Sequence, residues 1–289
     1  MSLLYYVGVL EGRDSRVRGD CVLEELGRLG IVPTIEECRW PRIRNLVVDF
    51  CPDARTERLL FSAHYDVVRG APGANDDASG VAVLLGLCAE LKGAQAPARV
   101  VFFDHEEAWF RTRYLRLGLL GSLYHVFRRR MSGIAAVYNL EFVGQGDHLA
   151  AWPVKAEKSA PESLARLKSA AAALSVPVEQ VSIPWVLMSS DHLSFRLRGV
   201  REAVTLSLVP ADRVQQIADF LTAVSVRSLL AGRRAELPEP LSRLHTAGDT
   251  SDRLSERSLR LMLSLVRELV REFEVSSSPH PLPKGEGRE

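Results

Sequence analysis

Three short apolar runs in the first half of the chain each break off in residues that can ligate a metal. Leu59-Leu60-Phe61-Ser62-Ala63 leads into His64-Tyr65-Asp66, Val100-Val101-Phe102-Phe103 into Asp104-His105-Glu106-Glu107, and Ala135-Ala136-Val137-Tyr138 into Asn139-Leu140-Glu141. Runs of this length, separated by helix-length stretches, predict parallel strands joined by crossover helices, hence an α/β fold. In open α/β sheets ligands bind beyond the carboxyl ends of the strands, and all three runs carry their polar residues at that end. Neighbouring strands lie about 4.8 Å apart. Side chains from adjacent ends therefore reach one metal, or two metals about 3.5–4 Å apart. Histidine and carboxylate donors without thiolate suit zinc, with manganese and cobalt as alternatives.

Each piece alone has an ordinary explanation. Gly73-Ala74-Asn75-Asp76-Asp77-Ala78-Ser79-Gly80, between the first two runs, is a serviceable helix start anywhere, because short polar side chains accept from free N–H groups there. A His-x-Asp pair is commonly a simple hydrogen bond, and a Glu-Glu pair commonly faces solvent. Their arrangement in this order, at successive strand ends, is what points to a metal centre.

The same residues carry a family resemblance. His64-Tyr65-Asp66, the Asn75-Asp76-Asp77 turn, Glu106-Glu107, Asn139-Leu140-Glu141, and His245-Thr246 followed by Asp249-Thr250 resemble the di-zinc aminopeptidases of the bacterial leucyl aminopeptidase type. Glutamate carboxypeptidase II and glutaminyl cyclase are relatives. The likeness spans roughly residues 15 to 273. It implies a three-layer α/β sandwich with a mixed, mostly parallel central sheet flanked by helices. It also implies a hydrolase that removes N-terminal residues from peptides with two zinc ions per chain. Carried over residue by residue, Asp76 would bridge both metals, Glu107 and His245 would complete one, and His64 and Glu141 the other. Asp66 would fix the tautomer of His64, and Glu106 would be the general base. A cis peptide is implied between Asp76 and Asp77. A single-zinc glutaminyl cyclotransferase and a catalytically silent binding relative are the alternatives.

Three departures from the family pattern stand out. Glu141 occupies a position where aspartate is usual, His105 one where glycine is usual, and Ala108–Leu117 intervenes before Gly118-Leu119-Leu120-Gly121-Ser122. That insertion carries Trp109, Phe110 and Tyr114 and reads as a surface loop or a lid.

A chain of 289 residues, 46% hydrophobic, has enough apolar surface for one large domain. The expected division is one peptidase domain over residues 1–275 and a disordered tail over 276–289, where Ser, Pro and Gly accumulate. A net charge of +1 without a long basic run argues against nucleic acid or an anionic membrane as partner. Cys21, Cys38, Cys51 and Cys88 form no Cys-x-x-Cys and read as reduced thiols in a cytoplasmic protein, with pairing in a secreted one as the alternative. The opening residues, 1–10, lack the basic start and length of a signal peptide. The oligomeric state stays open.

The remaining elements follow from periodicity. Helices are expected over 16–29, 78–91, 119–130, 161–174, 212–233 and 256–273, and strands over 31–35, 46–50 and 203–209, the first two as antiparallel edge strands. Gly144–Trp152 reads as turn-rich. Ser189-Ser190-Asp191-His192 reads as a helix start capped by Ser190 or Asp191, in a segment that borders the substrate pocket in relatives.

Overall fold

In the computed structural model the described residues are 1–51, 53, 56–107, 110, 111, 116–152, 162–181, 190–223 and 238–277. Eight strands form one sheet: β1 (Thr34–Cys38), β2 (Ile43–Asp49), β3 (Arg58–His64), β4 (Ala98–Phe103), β7 (Ile134–Leu140), β8 (His148–Trp152), β9 (Val178–Gln180) and β10 (Ala203–Val209). Their spatial order is β1-β2-β4-β3-β7-β10-β8-β9. The four central strands β4, β3, β7 and β10 are mutually parallel, and the β1-β2 arm meets β4 antiparallel. The expected antiparallel beginning is therefore found. Two residue pairs, β5 (Phe110–Arg111) and β6 (Arg116–Leu117), form a separate small hairpin. The rest of the 108–117 insertion, and with it the lid reading, lies outside the described residues.

Helices cover both faces, and the strands divide their side chains accordingly. Leu59, Phe61, Ala63, Val100, Phe102, Tyr138 and Leu140 pack on one side with α1 (Leu3–Leu10), α2 (Ser15–Arg28), α3 (Ser79–Leu91), α5 (Glu162–Ala173) and α8 (Glu256–Ser277). Leu60, Val101, Phe103 and Val137 pack on the other with Val126 of α4 (Leu120–Arg128) and Phe195 of α6 (His192–Leu197). This alternation is the period of two expected of a strand, here apolar on both faces because both are covered. Helix α3 has no solvent face over its first ten residues, 79–88, all of which are buried. Below α4 a buried carboxylate, Glu36, accepts from His125 Nδ1 at 2.9 Å and Arg129 Nε at 2.6 Å. Burial opposes its ionisation, yet these two partners hold its carboxyl down at about 2.

Two sequence expectations need correction, and one helix has no counterpart among them. The 144–152 segment is not all turn: His148–Trp152 pairs with β10 over five residues. Its sequence, His-Leu-Ala-Ala-Trp, lacks the β-branched residues that mark strands. Helix α8 runs to Ser277, so the 276–289 tail does not begin at 276, and residues 278–289 are outside those described. Helix α1 was not anticipated. It is stabilised by packing on α3 and α8 and by Glu256, whose carboxylate accepts from Leu3 N at 3.1 Å and Leu4 N at 2.9 Å. The 212–233 helix is present as α7 (Val214–Ala223), and residues 224–233 lie outside those described.

One close approach fixes where α4 begins. A Cβ on Gly121 would lie 1.9 Å from the carbonyl oxygen of Asp104, in the loop that leaves β4. Gly121→Ala is therefore expected to destabilise the protein by about 1–3 kcal/mol or more, lowering Tm by roughly 2–4 °C per kcal/mol. An unchanged unfolding temperature would refute this contact.

Candidate metal centre

The strand ends do converge. His64 is the last residue of β3, Glu106 and Glu107 follow β4 after two intervening residues, and Glu141 directly follows β7, so three neighbouring parallel strands deliver their polar ends to one rim. His64 is fully buried. Its Nε2 lies 3.1 Å from Asp76 Oδ1. Its Nδ1 lies 3.4 Å from Asp66 Oδ1 and 3.2 Å from the Asp66 carbonyl. Asp66 does more than orient this ring. Its two carboxylate oxygens also accept from the backbone N–H groups of Glu106 and Glu107, each at 3.0 Å. One side chain thus ties the end of β3 to the turn after β4.

Asp76 comes from the tight turn Ala74–Ala78 before α3, and the Asp76–Asp77 peptide is cis, as the resemblance implied. The turn is held from the far end of the chain. The Asp249 carboxylate accepts from Asn75 N at 2.8 Å and Asp76 N at 3.1 Å. From the other side, the buried Arg18 donates to the carbonyls of Pro72 at 2.5 Å and Gly73 at 2.9 Å. Gly73 itself is at φ +64, and a Cβ there would meet Arg18 and Val67 within 2.6 Å. Asp77 turns away and accepts from Gly80 N at 3.0 Å, capping α3.

The second oxygen of Asp76 faces His245. His245 Nε2 lies 3.2 Å from Asp76 Oδ2 and 2.9 Å from Glu107 Oε1. Two sets of donor atoms result, His64–Asp76–Glu141 and Asp76–Glu107–His245, each lying within 4.8 Å of one another and sharing Asp76. All five residues expected to hold metal fall in these sets. His245 is the most open of them, its side chain 29% exposed against 0–7% for His64, Asp76 and Glu107.

Buried carboxylates dominate the electrostatics of the pocket. Asp66, Asp76, Asp77, Glu106, Glu107, Glu141, Asp191 and Asp249 are all buried here. Among the described residues the neighbouring cationic groups are His64, His245 and Arg18. Burial disfavours charged carboxylates, so several are pushed up: Glu141 to about 8 by burial and by Asp76, Asp191 to about 7 by burial, Asp249 to about 6 by burial. Burial opposes protonation of His245, but the Asp76 and Glu107 carboxylates raise it to about 10. Glu141 Oε2 is buried with no hydrogen-bond partner. Such a surplus of buried, partly unpaired carboxylate beside imidazole nitrogens is the donor set that divalent cations neutralise. The residues present fit a pair of cations.

Two sequence candidates lie beside the clusters. Asp191 stands at the start of α6, where a cap by Ser190 or Asp191 is expected, but its buried side chain makes no capping hydrogen bond and feels the charges of His64 and Asp66 instead. His192 is structural. Its Nδ1 lies 2.6 Å from Thr205 Oγ1, and burial and Arg196 lower its pKa to about 3, which keeps it neutral. His105, at φ +53, pairs with Asp104 at 2.9 Å and does not join the metal set. Sequence reasoning missed Arg18 as the buried anchor of the Asp76 turn, because an arginine one turn into an amphipathic helix looks like a solvent-facing residue.

The comparisons with known proteins agree with this geometry. A profile of peptidase family M28 matches residues 45–270. Aminopeptidase YwaD of Bacillus subtilis is 29% identical over 190 residues, 57% of this chain and 40% of its own length. A vacuolar membrane protease of Candida glabrata is 33% identical over 90 residues, 31% of this chain and 9% of its own. This chain thus spans less than half of these relatives. Among solved structures, a zinc aminopeptidase from Bacillus subtilis (BSAP) superposes with a TM-score of 0.56 at 20% identity, covering 80% of this chain and 50% of that one. A glutaminyl cyclase from Porphyromonas gingivalis superposes with a TM-score of 0.66 at 20% identity, covering 94% of this chain and 97% of that one. With its family profile matched from β2 into α8, the chain belongs to peptidase family M28.

Proposed function

We propose that the protein is a zinc-dependent exopeptidase that removes N-terminal residues from peptides. The observation that carries this reading is the pair of His–carboxylate clusters sharing Asp76, with a further carboxylate, Glu106, beside them. In it, His64, Asp76 and Glu141 would hold one zinc, and Asp76, Glu107 and His245 the other. Zinc in such a site supplies Lewis acidity toward water and the scissile carbonyl. The protein's own residues do the rest. Glu106 is 5% exposed and feels His64, Glu107, Glu141 and Asp191. Burial holds its carboxyl well above the usual carboxylate range, where a proton acceptor can return the proton it takes. It removes a proton from the attacking water and delivers it to the departing amine. Asp66 keeps Glu106 and Glu107 in register through their backbone N–H groups.

Chelation is the direct test. Dialysis against a chelator is expected to abolish hydrolysis of aminoacyl arylamides, and added zinc to restore it, with two zinc ions per chain by elemental analysis. Hydrolysis unaffected by complete metal removal would overturn the reading. The one-zinc cyclotransferase alternative is separated by product analysis on a peptide beginning with glutamine. A cyclised product with one zinc per chain would favour it, and free glutamine with two would favour the exopeptidase.

A further inference from the structure

Helices α4 and α6 lie side by side on one face of the sheet, joined by Ser122 Oγ and Ser194 Oγ at 2.8 Å and by the apolar contacts of Val126 and Phe195. Both start at the rim that carries the metal centre: Leu120 N donates to the carbonyl of His105, and α6 follows Asp191. Both then run away from it, toward the end of the sheet where β7 and β10 begin. At that far end the chain brings together Phe127-Arg128-Arg129-Arg130-Met131-Ser132 and Arg196-Leu197-Arg198-Gly199-Val200-Arg201. The two hexapeptides hold six arginines and no carboxylate.

Their side chains are arranged unequally. Met131 and Val200 pack inward against the core, and Arg196 donates to the carbonyl of Ala203 at 2.8 Å. Arg128, Arg129, Arg130, Arg198 and Arg201 are exposed. Between them Phe127 and Leu197 project into solvent, 71% and 70% exposed, and the Arg198 guanidinium sits 5.7 Å from the Phe127 ring. Two carboxylates at this end are already engaged, while exposed Glu37 stands beside Tyr124, whose hydroxyl donates to the Glu37 carbonyl. Glu36 lies buried under Arg129 and His125, and Glu202 accepts from Ser163 N at 2.6 Å. A strongly positive surface is left with two protruding apolar side chains in its midst.

We propose that this end of the molecule docks on an anionic phospholipid surface. The arginines would contact headgroup phosphates, and Phe127 and Leu197 would enter the interfacial layer. The charge complementarity is direct, since each Arg near an anionic leaflet contributes about 1 kcal/mol, roughly five-fold in affinity. Two isolated projecting side chains suit insertion between lipids, as on basic amphipathic helices that lie in the interface, better than they suit a groove-filling contact with a folded partner. Docking is peripheral, because no helix among the described residues is long and apolar enough to cross a membrane. It leaves the metal rim facing away from the bilayer, open to soluble substrate. The contrast with the sequence is instructive. No long basic run exists, and the patch appears only when the fold places two short ones together.

Sedimentation of the full chain with vesicles tests this. Binding is expected to vesicles of phosphatidylcholine with about 30% phosphatidylserine and not to phosphatidylcholine alone, weakening as salt shortens the screening length from about 10 Å to about 3 Å. Combined R128E, R130E, R198E and R201E is expected to lose more than about 100-fold in affinity, with the unfolding temperature unchanged. F127S with L197S is expected to weaken binding while preserving its salt dependence. No association with the anionic vesicles at low salt would overturn the proposal. So would a charge-reversed variant that binds like the parent, or equal binding to soluble polyglutamate that is indifferent to Phe127 and Leu197.

Discussion

Glu106→Gln is expected to bind zinc as the parent does and to hydrolyse aminoacyl arylamides about 10²–10⁴-fold more slowly, with most of the loss in kcat. The amide has nearly the shape of the carboxylate, and neither metal set includes Glu106. The backbone of Glu106 is fixed by Asp66, which the substitution leaves alone. What disappears is a group that can take a proton and give it back. Elemental analysis and steady-state kinetics on the same preparation decide the matter: a variant that keeps both metal and full activity would reject Glu106 as the base.

The second large effect separates the two metal sets. Asp76→Ala is expected to lose both zinc ions, because its carboxylate offers one oxygen to His64 and the other to His245. Glu141→Ala should lose only the ion shared with His64 and leave the His245 set intact. Removing a group that merely supports a ligand typically costs 10–100-fold in metal affinity, so removal of a ligand itself should exceed about 100-fold. Competition against a zinc-sensitive dye gives both numbers. Equal stoichiometry in the two variants would deny Asp76 its bridging position.

Much of this was legible before folding, for a local reason. A strand that stops where its polar residues begin declares both its direction and its useful end, and β3, β4 and β7 all do so. The five candidate metal ligands follow from that reading together with the resemblance, and the structure gathers all five into two donor sets. What stayed hidden depends on contacts between distant segments. The anchoring of Asn75 and Asp76 by Asp249 spans more than 170 residues. The double hold of Asp66 on two backbone N–H groups arises only when β3 and β4 lie side by side. Strand β8 is short and alanine-rich, and pairing with β10 creates it. Asp191 does stand at the start of α6, where aspartate commonly accepts from the first turn, yet its buried side chain makes no such bond and feels His64 and Asp66.

The clasp between Asp249 and the turn that presents Asp76 also bears on the order of events during synthesis. Because His245 and Asp249 follow Glu141 by more than 100 residues, a nascent polypeptide can complete its early strands and still lack one histidine and the brace beneath the shared aspartate. On the proposed function, a chain that stops before His245 lacks one of the two donor sets and is expected to leave peptides uncut.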